Sequence, residues 1–434
     1  MSPVKSLAPC LLTLLFLYVE GIQGESTVQT HGKVVACYVA SWARYRPTGG
    51  QFLMNDLKPE YCTHLIYAFA GLNSTSWEIR SLDNWADLEE GGIGNYRKMT
   101  ALRDKYPGLK ISLAIGGWNE GSGNYSALVS DMNRRRTFIN SVVNFLKKYK
   151  FDGLDLDWEF PGQRGGNPED KKNFALLVKE LQSDFSIHHF ILTAAISANK
   201  KIISEAYDIP KISKYLDYVH LMAYDYHGAW DLKVLPNAPL NSNDDANINS
   251  SVSYLLKLGV PPEKLVLGLP MYGRTFILVN DVPPEDSPIG MTAQSKSFSG
   301  PYTREDGIMG YNEICKELAD KSWISKWDTV SSTPYAVNGL RVISYDDYSS
   351  LEKKVLYATE LNLAGVMIWS IDTDDFKGSC GTDYTLMKSI NNAFVKNVVS
   401  STEQSNDGTN SAHALYNAAT VVSVIFSILI LITF

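Results

Sequence analysis

The sequence predicts an α/β protein built as a closed (β/α)8 TIM barrel, with a small α+β insertion between its seventh and eighth strands. Short apolar runs rich in β-branched residues recur at 34–39, 64–69, 110–115, 153–157, 191–196, 218–222, 265–269 and 365–369. Amphipathic segments lie between several of them, most clearly at 135–148 and 170–185. Strand–helix alternation implies βαβ units and a parallel sheet. Eight strands over about 360 residues fit a barrel with insertions. An open doubly wound sheet is the alternative, but no Gly-rich phosphate loop opens a helix after the first strand. The gap between 269 and 365 is too long for a simple crossover and contains short alternating runs at 272–278 and 340–345. It predicts the insertion, at roughly 272–343.

The ends of the 434-residue chain read differently from its middle. Residues 1–24 have the form of a signal peptide: Lys5, an apolar run over 7–19, then a polar stretch to Gly24. That run is too short for a membrane span, which needs roughly 20 apolar residues. The barrel is expected over 33–395, followed by a polar linker at 396–413 and an apolar terminus at 414–434. From Val421 to Phe434 the tail is almost purely apolar. As a helix it would cover only about 21 Å. Small residues, a spacer and an apolar tail fit a glycolipid-anchor signal; a spanning helix over 414–434 is the alternative. Either form implies membrane attachment through the C-terminus.

A net charge of −7 without a Lys/Arg block argues against nucleic acid as a partner. Aromatic residues make up 11% of the chain, a supply of flat rings suited to sugar faces. Removal of Cys10 with the signal leaves Cys37, Cys62, Cys315 and Cys380, an even number that implies two disulfides with three possible pairings. Asn73, Asn124 and Asn249 begin N-x-S/T sequons, candidate glycosylation sites consistent with export.

The run Phe151-Asp-Gly-Leu-Asp-Leu-Asp-Trp-Glu159 concentrates the chemistry. Alternate strand residues share a face, so Asp155, Asp157 and Glu159 point one way and Leu154, Leu156 and Trp158 the other. In a barrel the apolar set packs on the helices while the acids project inward, rising toward the C-terminal mouth where barrel enzymes place their chemistry. Acids spaced roughly 6.6 Å per step cannot all ionise freely. A shared proton and a raised upper pKa follow, as a general acid requires. A solvated acidic edge fits poorly with the apolar residues between. A divalent-metal site would need further ligands, and no His or Asn lies beside the cluster.

Asp152-Gly-x-Asp-x-Asp-x-Glu159 resembles the signature of family-18 glycoside hydrolases, the chitinases and their relatives, here of animal and specifically arthropod type. Four further segments agree in order: Ser112-Leu-Ala-Ile-Gly-Gly-Trp118, Leu221-Met-Ala-Tyr-Asp225, Met271-Tyr-Gly-Arg274 and Gly365-Val-Met-Ile-Trp-Ser370. The resemblance covers roughly 33–395 and implies substrate-assisted, retaining hydrolysis of β-1,4-linked N-acetylglucosamine polymers. It implies no metal and no cofactor. Glu159 would be the acid and base, Asp157 the partner of the acetamido N–H, Asp155 its proton-sharing neighbour, and Tyr224 a donor to the acetamido oxygen. Phe160 stands where Tyr is common.

By the same resemblance Trp42, Trp118 and Trp369 would stack on sugar rings, with Trp369 as the floor of the cleavage site. Trp230 is balanced between contact and packing. Tyr38, Phe69, Gly117, Met222, Asp225, Tyr272 and Arg274 complete the expected substrate contacts. Trp77, Trp85, Trp323 and Trp327 read as structural or rim residues. The resemblance also implies the pairings Cys37–Cys62 and Cys315–Cys380. Two other functions compete: an oligosaccharide-binding lectin without hydrolysis, and an endoglycosidase acting on N-glycans.

Overall fold

The computed structural model describes residues 31–283 and 285–406; the expected signal peptide and the apolar terminus lie outside the described residues. Among the described residues, fourteen strands form two sheets. The first is the barrel, made of β1 (Val34–Ala40), β2 (His64–Asn73), the antiparallel flank β3 (Glu78–Ser81), β4 (Lys110–Gly116), β5 (Gly153–Asp157), β6 (Ile191–Ser197), β7 (Tyr218–Met222) and β8 (Leu265–Pro270). Then come β9 (Tyr272–Ile277), β10 (Ile308–Gly310), β11 (Ile324–Asp328), β12 (Thr333–Asn338) and β13 (Arg341–Ser344) of the insertion, and β14 (Gly365–Trp369) returns to the barrel. The parallel order β1-β14-β8-β7-β6-β5-β4-β2 closes through β1–β2, with Ala36 opposite both Met367 and His64.

Period-2 alternation sorts the side chains into two cores. Val35, Cys37, Val39, Leu154 and Leu156 face the helices, where they meet Phe138, Leu146, Phe174 and Leu181. Ala36, Tyr38, Ile66, Ala68, Ala114, Val266 and Met367 fill the barrel itself. The helix Met132–Tyr149 starts at Asp131, whose carboxylate accepts the Arg134 N–H, and stops at Lys150 in the left-handed region. Its neighbour Asp170–His188 is tied to it by a bidentate ion pair from Arg135 to Glu180, at 2.9 and 2.8 Å.

The segment after β8 forms an antiparallel five-stranded sheet, order β10-β9-β13-β12-β11, with the helix Tyr311–Glu317 against it. Two disulfides brace the fold. Cys37–Cys62 joins β1 to the approach to β2, and Cys315–Cys380 joins the insertion to the loop beyond β14, each with Cα atoms 6.0 Å apart. Cross-links of this kind typically contribute about 2–4 kcal/mol by restricting the unfolded chain.

The helix Thr385–Asn406 runs into the stretch expected as a polar linker from 396 onward. Its beginning is anchored by Met387, Ile390 and Phe394, all buried. No Gly or Pro interrupts the chain from 385 until Gly408, so polarity alone does not stop the helix. Among the described residues, no helix is long and apolar enough to cross a membrane.

Candidate active site

β5 places its acids inside the barrel: Asp155 is fully buried and Asp157 is 3% exposed. Beyond the strand Trp158 turns outward, donating from Nε1 to Ser122 Oγ at 2.9 Å and stacking on Tyr125. Asp155 is enclosed by donors. Tyr38 Oη gives its proton to Oδ2 at 2.7 Å, Thr193 Oγ1 gives its proton to Oδ1 at 2.5 Å, and His220 Nδ1 lies 3.1 Å from Oδ1. The same Nδ1 is 3.1 Å from Tyr38 Oη, whose proton is already committed, so Nδ1 carries the hydrogen in both contacts. Asp155 therefore has little left to offer a metal ion.

Asp157 is the opposite case. Its Oδ1 is buried without a hydrogen-bond partner. Burial, then the neighbouring charges of Glu159 and Asp155, hold its carboxyl well above the usual range. Burial and the charge of Asp225 push Glu159 up to about 7, with the Arg164 guanidinium opposing them. Two of the three acids thus retain protons in conditions where an exposed carboxyl is ionised.

Gly116 and Gly117 let the end of β4 approach this strand. Both have positive φ, 116° and 82°, and Gly117 N donates to Asp157 O at 2.7 Å. A Cβ on Gly116 would lie 2.2 Å from that carbonyl, and one on Gly117 would lie 2.6 Å from the Phe69 ring. No other residue type fits either position.

After β7, Tyr224 is buried beside Met367, its hydroxyl 3.6 Å from the sulfur, and burial raises its pKa with Asp157 contributing next. Asp225 sits in the left-handed region at φ 55° and gathers a second cluster. Its Oδ1 accepts Tyr272 Oη at 2.6 Å and Arg274 Nε at 2.8 Å, and Arg274 lies 4.9 Å from the centre of the Trp230 ring. Met222 is half-buried against the inner core.

The third group is aromatic. Phe69 stacks on Trp42 at 5.9 Å and on Trp369 at 5.8 Å, and the Trp369 ring lies 5.4 Å from that of Tyr38. Trp42, Trp118 and Trp230 are 43%, 57% and 57% exposed, against a usual preference of such rings for burial. Peptide bonds Ala68–Phe69, Glu159–Phe160 and Trp369–Ser370, all in this group or beside the acids, are cis. Trp323 belongs to the insertion's own core and Trp77 packs under Arg134, whereas Trp85 is exposed near Tyr45.

Four participants escaped the sequence reading. His220 and Thr193 hold Asp155. Asn237 accepts the Asp225 N–H at 3.0 Å and donates to Tyr272 O at 3.4 Å. Arg164 contacts Trp118 and Glu159. Alternation was a usable signal for the first two, since His220 shares the inward face with Met222 and Thr193 lies opposite Asp155 in register.

A parallel barrel whose mouth carries two acids with raised pKa values and a set of exposed aromatic rings has the form of a sugar-cleaving enzyme. Residues 34–374 match the description Glycosyl hydrolases family 18, and the chain belongs to that family. It is 51% identical over 370 residues to Probable chitinase 2 of Drosophila melanogaster, covering 81% of this chain and 74% of that one. The crystal structure of the Group IV chitinase of Ostrinia furnacalis superposes with a TM-score of 0.80 at 40% identity, covering 84% of this chain and all of that one. Human YKL-39, described as a pseudo-chitinase with retained chitooligosaccharide binding, superposes at 0.76 with 34% identity, over 84% of this chain and all of that one.

Proposed function

We propose that the protein is an endo-acting chitinase that cleaves β-1,4-linked N-acetylglucosamine polymers by substrate assistance with retention. One observation carries the reading: Asp157, 3% exposed with a buried Oδ1 that has no partner, stands two residues before Glu159, whose carboxyl burial pushes up to about 7. The Glu159 O–H donates to the glycosidic oxygen while the substrate's own N-acetyl oxygen attacks the anomeric carbon and the C–O bond breaks. Asp157 accepts the acetamido N–H and, as an anion, balances the oxazolinium charge, its proton passing between it and Asp155. Tyr224 Oη donates to the acetamido oxygen. Water then opens the ring, giving its proton to Glu159. Trp369, Trp42 and Trp118 offer flat faces to successive sugars.

The test is product analysis on defined oligomers with and without the 2-acetamido group. Turnover of the acetylated series alone is expected; equal turnover of the deacetylated series would point to a carboxylate nucleophile such as Asp225. The similarity to a pseudo-chitinase makes the lectin reading the other outcome, met if binding occurs without product.

We further propose export and retention at the cell surface, supported by the apolar runs 7–19 and 414–434. Asn124 and Asn249 are exposed and Asn73 is half-buried at the end of β2, positions open to glycans. Treatment of cells with a phosphatidylinositol-specific phospholipase should release the enzyme into the medium. Retention on the cells would favour a spanning C-terminal helix.

A further inference from the structure

We propose that Arg164 is a positioning residue, clamping the Trp118 plate and the backbone of the acid Glu159 into one unit so that a sugar ring meets both in register. The inference rests on the reading of Glu159 and Trp118 just given. Arg164 Nη1 donates to Trp118 O at 2.8 Å and to Glu159 O at 3.0 Å, bridging the loops after β4 and β5. Its guanidinium carbon lies 3.5 Å from the centre of the Trp118 ring. One face of that indole is therefore covered by a cation, and the ring, 57% exposed, has its other face for a ligand.

The chain invests in this placement. Arg164 adopts φ 50°, in the left-handed region that a long side chain seldom occupies, between Gly162 and Gly165 at φ 75° and 90°. The base of the loop is fixed by Asp170, 1% exposed, whose Oδ2 accepts Asn167 N at 2.7 Å and Gly162 N at 3.2 Å while Ser126 Oγ donates to its Oδ1 at 2.7 Å. On the outer side Gln163 Nε2 donates to Glu205 at 2.8 Å. A solvated surface arginine needs none of this scaffolding. Charge is a separate contribution: Arg164 is what opposes the upward push on Glu159.

Lysine separates the two contributions, because it keeps the charge but not the planar guanidinium that lies over the Trp118 ring. On the N-acetylglucosamine hexamer, Arg164→Ala should lower kcat/KM on the order of tenfold. The limb of the pH profile in which activity is lost with rising pH should move to higher pH. Arg164→Lys should lose a similar factor with that limb left in place. In a Trp118→Ala background Arg164→Ala should cost little more, since its partner is gone. Additive losses in the two backgrounds, or full activity in both Arg164 variants, would overturn the clamp. Failure of the underlying reading looks different: the wild type itself would release no product from the hexamer.

Discussion

Glu159→Gln is expected to reduce hydrolysis of chito-oligomers by at least about 10³-fold while leaving their binding within a fewfold of wild type. General acid assistance alone supplies about 10² to 10⁴, and here one group serves both steps, as acid toward the leaving oxygen and as base toward water. The amide fills the same volume and keeps the stacking surfaces intact, so the ground-state complex should survive. Rates with matched titration-calorimetry binding separate the two effects. The proton that Gln lacks is one that burial holds on Glu159 until about pH 7. Below that pH the carboxyl is neutral and holds the proton it must donate, and activity falls as pH rises through it. A wild-type profile still climbing well above pH 7 would contradict the assignment of Glu159 as the acid.

Much of this arrangement could be read in the sequence because it depends on period 2. Asp155 and Asp157 alternate with Leu154 and Leu156, and the barrel turns that alternation into an acidic interior and an apolar exterior. Strand ends were less legible. β2 extends to Asn73 because residues 70–73 pair antiparallel with β3, a partner not visible in the run itself. The helix at 385–406 was hidden by its polar second half. His220 sits in an apolar strand, and nothing in that run shows that Asp155, 65 residues earlier in the chain, lies beside it. Arg164 was harder still. Its partner Trp118 comes from a loop 46 residues away, and neither the left-handed turn nor the stacked guanidinium has a sequence signature. Residues that act through elements distant in the chain become apparent only once the barrel brings the strand ends together.

Replacement of Asp157 should be nearly as damaging as that of Glu159, and the pattern among replacements tests what it does. Burial and the adjacent charges of Glu159 and Asp155 hold its carboxyl well above the usual range, and its buried Oδ1 has no partner. If Asp157 served only as a neutral hydrogen-bonding group, Asp157→Asn would reproduce the protonated form and keep most activity. The proposed chemistry requires more: once the acetamido oxygen has attacked the anomeric carbon, a positive charge lies next to this side chain in a site of low dielectric, and an anion there is worth several kcal/mol. Asp155 can take up the displaced proton only by loosening one of the donors Tyr38, Thr193 and His220 now bound to it. We therefore expect Asp157→Asn and Asp157→Ala both to lower kcat by about 10² or more, with KM changing far less. Steady-state rates on the hexamer provide the measurement. An Asn variant within about tenfold of wild type would remove the charge-balancing role and leave Asp157 as a positioning group.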